Sequence, residues 1–372
     1  VISPYEVRLK QTAEGPNTID AAVARAELAA LWAREGAFEI AESAVRELRL
    51  VFGDGRSGPV TVMMMLAEGI TIYFRDLKPE ARGRVLGAQA LSVAGNDKSL
   101  IALTSAWLAH IEFNLHRQEQ MATAIGRCLD SLEPQSVAAR FRLALTLGDA
   151  FMVCADADAA KDWHAVARSA AVALGDHAAI SALMHNRAAL GVYNARLKQL
   201  SEPLESEEIS RLDAEVRSAV NYHALAQNTS LAYLHDNASA SIMLLRSQYS
   251  QAVEKIRSLL SQSPRISVSG ASTNLRCDLI LCFAELGDPG GARDEMGRGV
   301  IDSLLKCTDD DKYLGFATLE RACKLLGMHN EAREFGANAA AARAAFSDRT
   351  SSLAALLAPY RSSGHVLHAK VN

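Results

Sequence analysis

The side chains able to do chemistry in this chain are scattered rather than gathered into a known pattern. There are ten histidines. His110 and His116 lie six positions apart, on different faces of any helix; His177 and His185 lie two turns apart, with Asp176 just before the first. No HExxH or paired Cys/His spacing accompanies them, so no metal site is expected and hydrogen bonding is the simpler role. Asp156, Asp158 and Asp162 suggest a calcium loop, but Ala159-Ala160-Lys161 stand where such a loop needs a further ligand and Gly. They read instead as a turn leading into a helix whose N-terminal dipole favours carboxylates, and Asp309-Asp310-Asp311 read the same way. Gly53-Asp54-Gly55-Arg56-Ser57-Gly58 lacks the Lys and the preceding strand of a phosphate loop and reads as a linker. No nucleophile elbow and no Ser-His-Asp set can be assembled. No catalytic residue, cofactor or metal ligand is therefore predicted, and the chain is not expected to be an enzyme. Of Met63-Met64-Met65, one or two must be core, because three successive residues cover most of a helical turn. Six cysteines (Cys128, Cys154, Cys277, Cys282, Cys307 and Cys323) sit on apolar helical faces without metal spacing. They are expected as buried free thiols, with a Cys277–Cys282 redox pair as the weaker reading.

The elements that would carry these residues are helices. Apolar residues make up 49% of the 372 and aromatics only 6%. The apolar share is dominated by Ala and Leu, which favour helix, while alternating Val-Ile-Thr runs are scarce. A chain of this length exceeds one compact core unless it is built from repeats that pack only on their neighbours. The net charge of −4 gives no basic field, so direct nucleic-acid binding is not expected. No apolar run reaches the roughly 18 residues of a membrane span and no secretory signal opens the chain, so a cytoplasmic location without membrane contact is expected. The chain begins on Val1 rather than Met and is read as a processed or excised piece, with a partner domain elsewhere.

The first clear unit is Ile19–Phe52. Ile19, Val23, Leu28, Leu31 and Trp32 mark a first helix, which Asn17 is expected to cap and Gly36 to end in a left-handed conformation. Phe38, Ala41, Val45, Leu48 and Phe52 mark the second, and two helices so close in sequence pack antiparallel. Further pairs are expected at 59–74 with 79–94, 97–115 with 118–132, 135–155 with 158–174, and 177–197 with 207–223. Helices at 228–246, 271–286 and 309–326 open the last three pairs, and 351–359 is expected as a final cap. Pro59, Pro79, Pro134 and Pro289 fall where helices should start. The polar segment Ser201–Glu208, with Pro203, is the one evident loop insertion, separating repeats over 1–200 from repeats over 209–372.

The run Leu28-Ala29-Ala30-Leu31-Trp32, Gly36, Phe38, Ala41 resembles the tetratricopeptide (TPR) repeat. Ser247-Gln248-Tyr249-Ser250-Gln251-Ala252, Leu286 to Ala292 and Leu326 to Ala332 resemble it again. The spacing is nearer to about 40 residues than to the regular 34 or so, which HEAT-type repeats share. The resemblance implies an all-α, right-handed α-solenoid of about eight antiparallel helix pairs with a C-terminal capping helix. It also implies a working surface, because in TPR-like stacks the first helix of each pair lines the concave face. Aligned on the turns, that face would carry Asn237, Ser241, Asn274 and Arg321, with Arg142, His185 and Asn186 as looser equivalents, Asp149 beside them. Asn can bond both donors and acceptors of a peptide backbone, and Arg can grip a carboxylate with two bonds. The Lys/Asn carboxylate clamp of the family is not matched, so an acidic C-terminus is not the expected ligand. The leading expectation is a bacterial-type interaction or regulatory module that binds a protein or peptide partner along its concave groove. The alternatives are a sensor of a small-molecule or peptide signal that controls an output domain outside this chain, and an α-toroid enzyme. Self-association is compatible with each.

Overall fold

The computed structural model describes residues 2–15, 18–53, 58–76, 78–230, 232–261 and 269–362. Every regular element among them is helical. In chain order they are α1 (Pro4–Ala13), α2 (Ile19–Glu35), α3 (Phe38–Phe52), α4 (Gly58–Asp76), α5 (Glu80–Ala94), α6 (Lys98–Asn114), α7 (Gln118–Ser131), α8 (Val137–Val153), α9 (Ala157–Leu174), α10 (His177–Gln199), α11 (Ser206–Leu225), α12 (Ala232–Leu245), α13 (Tyr249–Ser261), α14 (Ser269–Glu285), α15 (Pro289–Met296), α16 (Val300–Leu304), α17 (Asp309–Leu325) and α18 (His329–Leu357), followed by a 3₁₀ turn at Ala358–Tyr360. The chain divides into two compact units. Unit 1 comprises Val1–Arg187, Val220–Leu231 and Leu353–Asn372; unit 2 comprises Ala188–Ala219 and Ala232–Ser352. No helix among the described residues is long and apolar enough to cross a membrane.

Unit 1 is a run of hairpins. α2 packs on α3, α4 on α5, α6 on α7 and α8 on α9, while each second helix also touches the next first helix and α2 meets α4 as α6 meets α8. Ala makes this close approach feasible: Ala22, Ala26, Ala29, Ala30 and Ala33 of α2 are buried in one core with Ala67, Ala81, Ala88, Ala102 and Ala106. α8 is the most enclosed helix, with every residue from Ala139 to Phe151 buried. The ends of this run meet. Arg34 of α2 pairs with Asp176 at 2.7 Å, the Thr229 amide donates to the Glu35 carbonyl at 2.9 Å, and α1 bonds back to the α9–α10 turn through the Tyr5 amide and the Gly175 carbonyl at 3.3 Å. Tyr5, Leu9 and Ala13 of α1 share a small core with Leu28, Leu31 and Ala178.

Unit 2 is built around α14, which packs on α13, α15, α16 and α17. Its core holds Leu275, Ile280, Phe316 and Leu319 together with Cys277, Cys282, Cys307 and Cys323. Arg196 of α10 forms a two-pronged buried pair with Asp278 of α14, at 2.8 and 2.6 Å.

Several expectations need correction. Asn17 lies outside the described residues, and the cap of α2 is Thr18, whose hydroxyl accepts from the Ala21 amide at 3.2 Å. The helix α1 precedes the first expected unit. The second helix expected from Pro289 is broken into α15 and α16, because Gly299 sits at φ 74°, in the left-handed region. The cap expected at 351–359 is not a separate element, since α18 runs unbroken to Leu357. The loop expected at 201–208 ends early, with α11 starting at Ser206. Most of the glycine-rich linker, 54–57, is outside the described residues. Other readings hold: Gly36 ends α2 at φ 91°, Asp156 caps α9 by accepting from Ala159 at 3.3 Å, and Asp288 caps α15 with Pro289 at its first position. All six cysteines are free thiols; Cys154 is half-buried and the other five are buried.

Candidate functional site

Two places stand out, both in unit 1. The first is interior. Arg142 lies near the middle of α8, whose only other charges are Arg140 and Asp149. It is 2% exposed. Its guanidinium carbon lies over the Trp107 ring of α6, 3.7 Å from the centroid, and the Phe141 ring centroid is 5.4 Å away. No carboxylate pairs with it among the described residues, and its Nε is fully buried without a hydrogen-bond partner. Burial, with the Arg34 charge adding to it, pushes its pKa down to about 9, so it still carries its charge at neutral pH. Below the Trp107 edge, His110 is held neutral by burial and by the Arg142 charge, and its Nδ1 lies 3.5 Å from the Thr146 hydroxyl.

Arg142 borders a small cavity of about 40 Å³, lined also by Tyr5, Glu27, Arg34, Trp107 and Asp176. The other charges there are already engaged. Asp176 accepts from Arg34 at 2.7 Å and caps α10 by accepting from the Ala179 amide at 2.9 Å. Glu27 accepts from the Tyr5 hydroxyl, and burial raises its pKa. Asp149, two turns along α8, is held by His164 at 3.1 Å and Asn186 at 2.6 Å. The His164 ring fits only because residue 148 is glycine: a Cβ there would sit 2.3 Å from the ring.

The second place is a groove of about 490 Å³ between α1, α2 and α3. Its floor is Leu28, Trp32, Leu48, Val51 and Phe52, and Lys10, Glu14, Arg25 and Glu47 form a rim of mixed charge. Val51 is exposed at its edge, and the neighbouring Leu50 is 86% exposed.

The residues predicted for a concave face fall in both units. Arg142, His185 and Asn186 belong to unit 1, and Asn237, Ser241, Asn274 and Arg321 to unit 2. Arg142 is 2% exposed and borders the small cavity, not the groove between α1, α2 and α3. Asn186 is half-buried and bonded to Asp149, and His185 beside it on α10 is half-buried too. Asn237 and Ser241 are half-buried on α12. Asn274 is buried and donates to Asp311 at 2.7 Å, leaving its own carbonyl oxygen without a partner. Arg321 is exposed and bonded to Glu285 and, at 3.2 Å, to the Tyr249 hydroxyl. Sequence reasoning missed Trp107, Arg34 and the α1–α3 groove. A signal existed for the first: an Arg in the apolar run 141–148 needs either a counter-charge or a ring, and α6 carries the only Trp between Trp32 and Trp163. Comparison of the sequence with family models finds no match, and comparison with curated proteins finds none either.

Proposed function

We propose that the chain is a TPR-like helical-repeat module that holds a protein or peptide partner, and that the groove between α1, α2 and α3 receives it. The observation that carries this reading is the groove itself. Its volume of about 490 Å³ lies in the range of binding clefts. Its floor is aromatic and aliphatic while its rim is charged, which is the layout that seats the apolar face of an amphipathic segment. The hairpin order from α2 to α9, with first helix against first helix, supports kinship with right-handed TPR-like solenoids. Free cysteines support work in a reducing compartment such as the cytoplasm. On this reading the module is regulatory and its output is supplied by another domain or protein.

The test is affinity capture from native lysate with the wild-type chain and with Val51→Asp, in parallel with melting curves. Val51 is exposed, so the charge should leave the melting temperature within a degree or two while weakening capture of the partner at least tenfold. An unchanged set of captured proteins, with the fold intact, overturns the groove assignment.

A further inference from the structure

We infer that the small cavity beside Arg142 in unit 1 binds one small planar monoanion of the carboxylate type, formate- to acetate-sized, on the guanidinium of Arg142. The argument starts from an imbalance. A guanidinium removed from water is costly unless it is paired and its N–H groups are bonded. Arg142 is 2% exposed, yet no ion pair holds it among the described residues and its Nε is fully buried without a hydrogen-bond partner. The Trp107 ring compensates one face of the cation but cannot accept in the plane of the fork, where the N–H groups point.

The other charged groups around the cavity do not supply the missing partner. Asp176 is bonded to Arg34 and to the α10 backbone; Glu27 is bonded to Tyr5. Asp149 is bonded to His164 and Asn186. The Arg34–Asp176 pair is neutral as a unit, and the Glu27 carboxyl is turned to the Tyr5 hydroxyl, so no carboxylate of the lining is in direct contact with the Arg142 guanidinium. His110 stays uncharged and adds no second cation.

Size and shape narrow the ligand. The cavity of about 40 Å³ has room for some three water-sized atoms, given about 10–15 Å³ for each. That matches the three heavy atoms of formate, with the four of acetate at the upper end, and favours a small anion over nucleotides and peptide segments. A planar fork of N–H donors matches two oxygens of a flat anion better than a sphere. Met63, Leu66 and Leu103 are among the apolar residues of the lining and suit a C–H or methyl group behind the carboxylate.

The experiment uses ¹³C-formate NMR and melting curves on the full chain at pH 7.5, in a buffer whose anion is bulky. The wild-type chain should broaden the formate line, unlabelled acetate should reverse the broadening, and formate at a hundredfold excess over its Kd should raise the melting temperature of unit 1 by about 5–10 °C. Arg142→Met should abolish both effects and melt no lower than the wild type in the anion-poor buffer, because the unpaired buried charge is gone. Arg142→Gln serves if the Met variant does not fold. Absence of broadening by the wild-type chain, equal protection by chloride, or an unchanged response in the variant would each overturn the assignment and leave a cavity filled by water. None of these outcomes bears on the α1–α3 groove, which is tested separately.

Discussion

At the scale of single residues, the buried charges carry more meaning than the exposed ones. Arg142 was legible as a polar residue on a first helix, but not as an interior one, because its environment depends on Trp107 from another hairpin. Asn274 was legible in the same partial way; that its amide is committed to Asp311 follows from the packing of α14 on α17, which no local pattern encodes. Glu35 gives the clearest pH consequence. Burial, and then the nearby Glu6 carboxylate, raise its pKa to about 7, with Asp176 adding to the effect and Arg34 and Lys10 opposing it. The folded state therefore holds a proton that the unfolded chain releases near pH 4.5. Stability contributed by that proton is complete below about pH 4.5 and is lost as pH rises through about 7. Glu35 is half-buried, so screening trims the cost at pH 8 to roughly 1–2 kcal/mol. Glu35→Gln should be more stable than wild type by about that amount at pH 8 and no different at pH 4.5. Urea titrations at the two pH values check it, and an equal gain at both would show that charge is not the cause.

At the scale of elements, most helices could be read from three-four apolar spacing, turn glycines and prolines, because these signals are local. The failures are also local in cause. α1 carried a readable signal, Ser3-Pro4 with Glu6 three positions after the cap, and the Ser3 hydroxyl does accept from the Glu6 amide at 3.1 Å. The break between α15 and α16 follows from Gly297 and Gly299, which a helix-period reading passes over. Gly36 shows how a turn residue answers to distant structure as well. Its φ of 91° already disfavours a side chain. A Cβ would also lie 2.4 Å from the Thr229 hydroxyl and 2.7 Å from the Ser230 amide. Gly36→Ala should thus cost more than the 1 kcal/mol or so of an ordinary left-handed glycine, about 2–4 kcal/mol. Pairing it with Thr229→Gly should recover part of the loss in chemical denaturation. A single variant as stable as wild type would refute the close approach.

At the scale of the whole molecule, the sequence divides at one polar loop, whereas the compact units interleave segments, with 220–231 and the chain from Leu353 onward belonging to unit 1. Long-range returns of this kind leave no periodic trace. The two large cores share no residue, and this predicts two unfolding transitions. Trp32, Trp107 and Trp163 all fall in unit 1, so tryptophan fluorescence follows that unit, while circular dichroism follows both. Leu143→Ala should lower the fluorescence midpoint, at a cost of about 2–5 kcal/mol. Leu319→Ala should shift the dichroism curve and leave the fluorescence midpoint in place. A single coincident transition, moved equally by both, would show that the units unfold together.

The closure of unit 1 also has a consequence in time. Arg34 waits for Asp176, 142 residues later, and its own carbonyl bonds to Ser230, 196 residues later. At about 5–20 residues per second of synthesis, the first hairpin spends roughly 7 to 40 s on the ribosome without the groups that seal it. During that interval Arg34, Glu27 and the apolar faces of α1 and α2 stand open to water and to chaperones. A nascent chain arrested before Asp176 should therefore be cut by protease within α1 and α2, and one released past Ser230 should not.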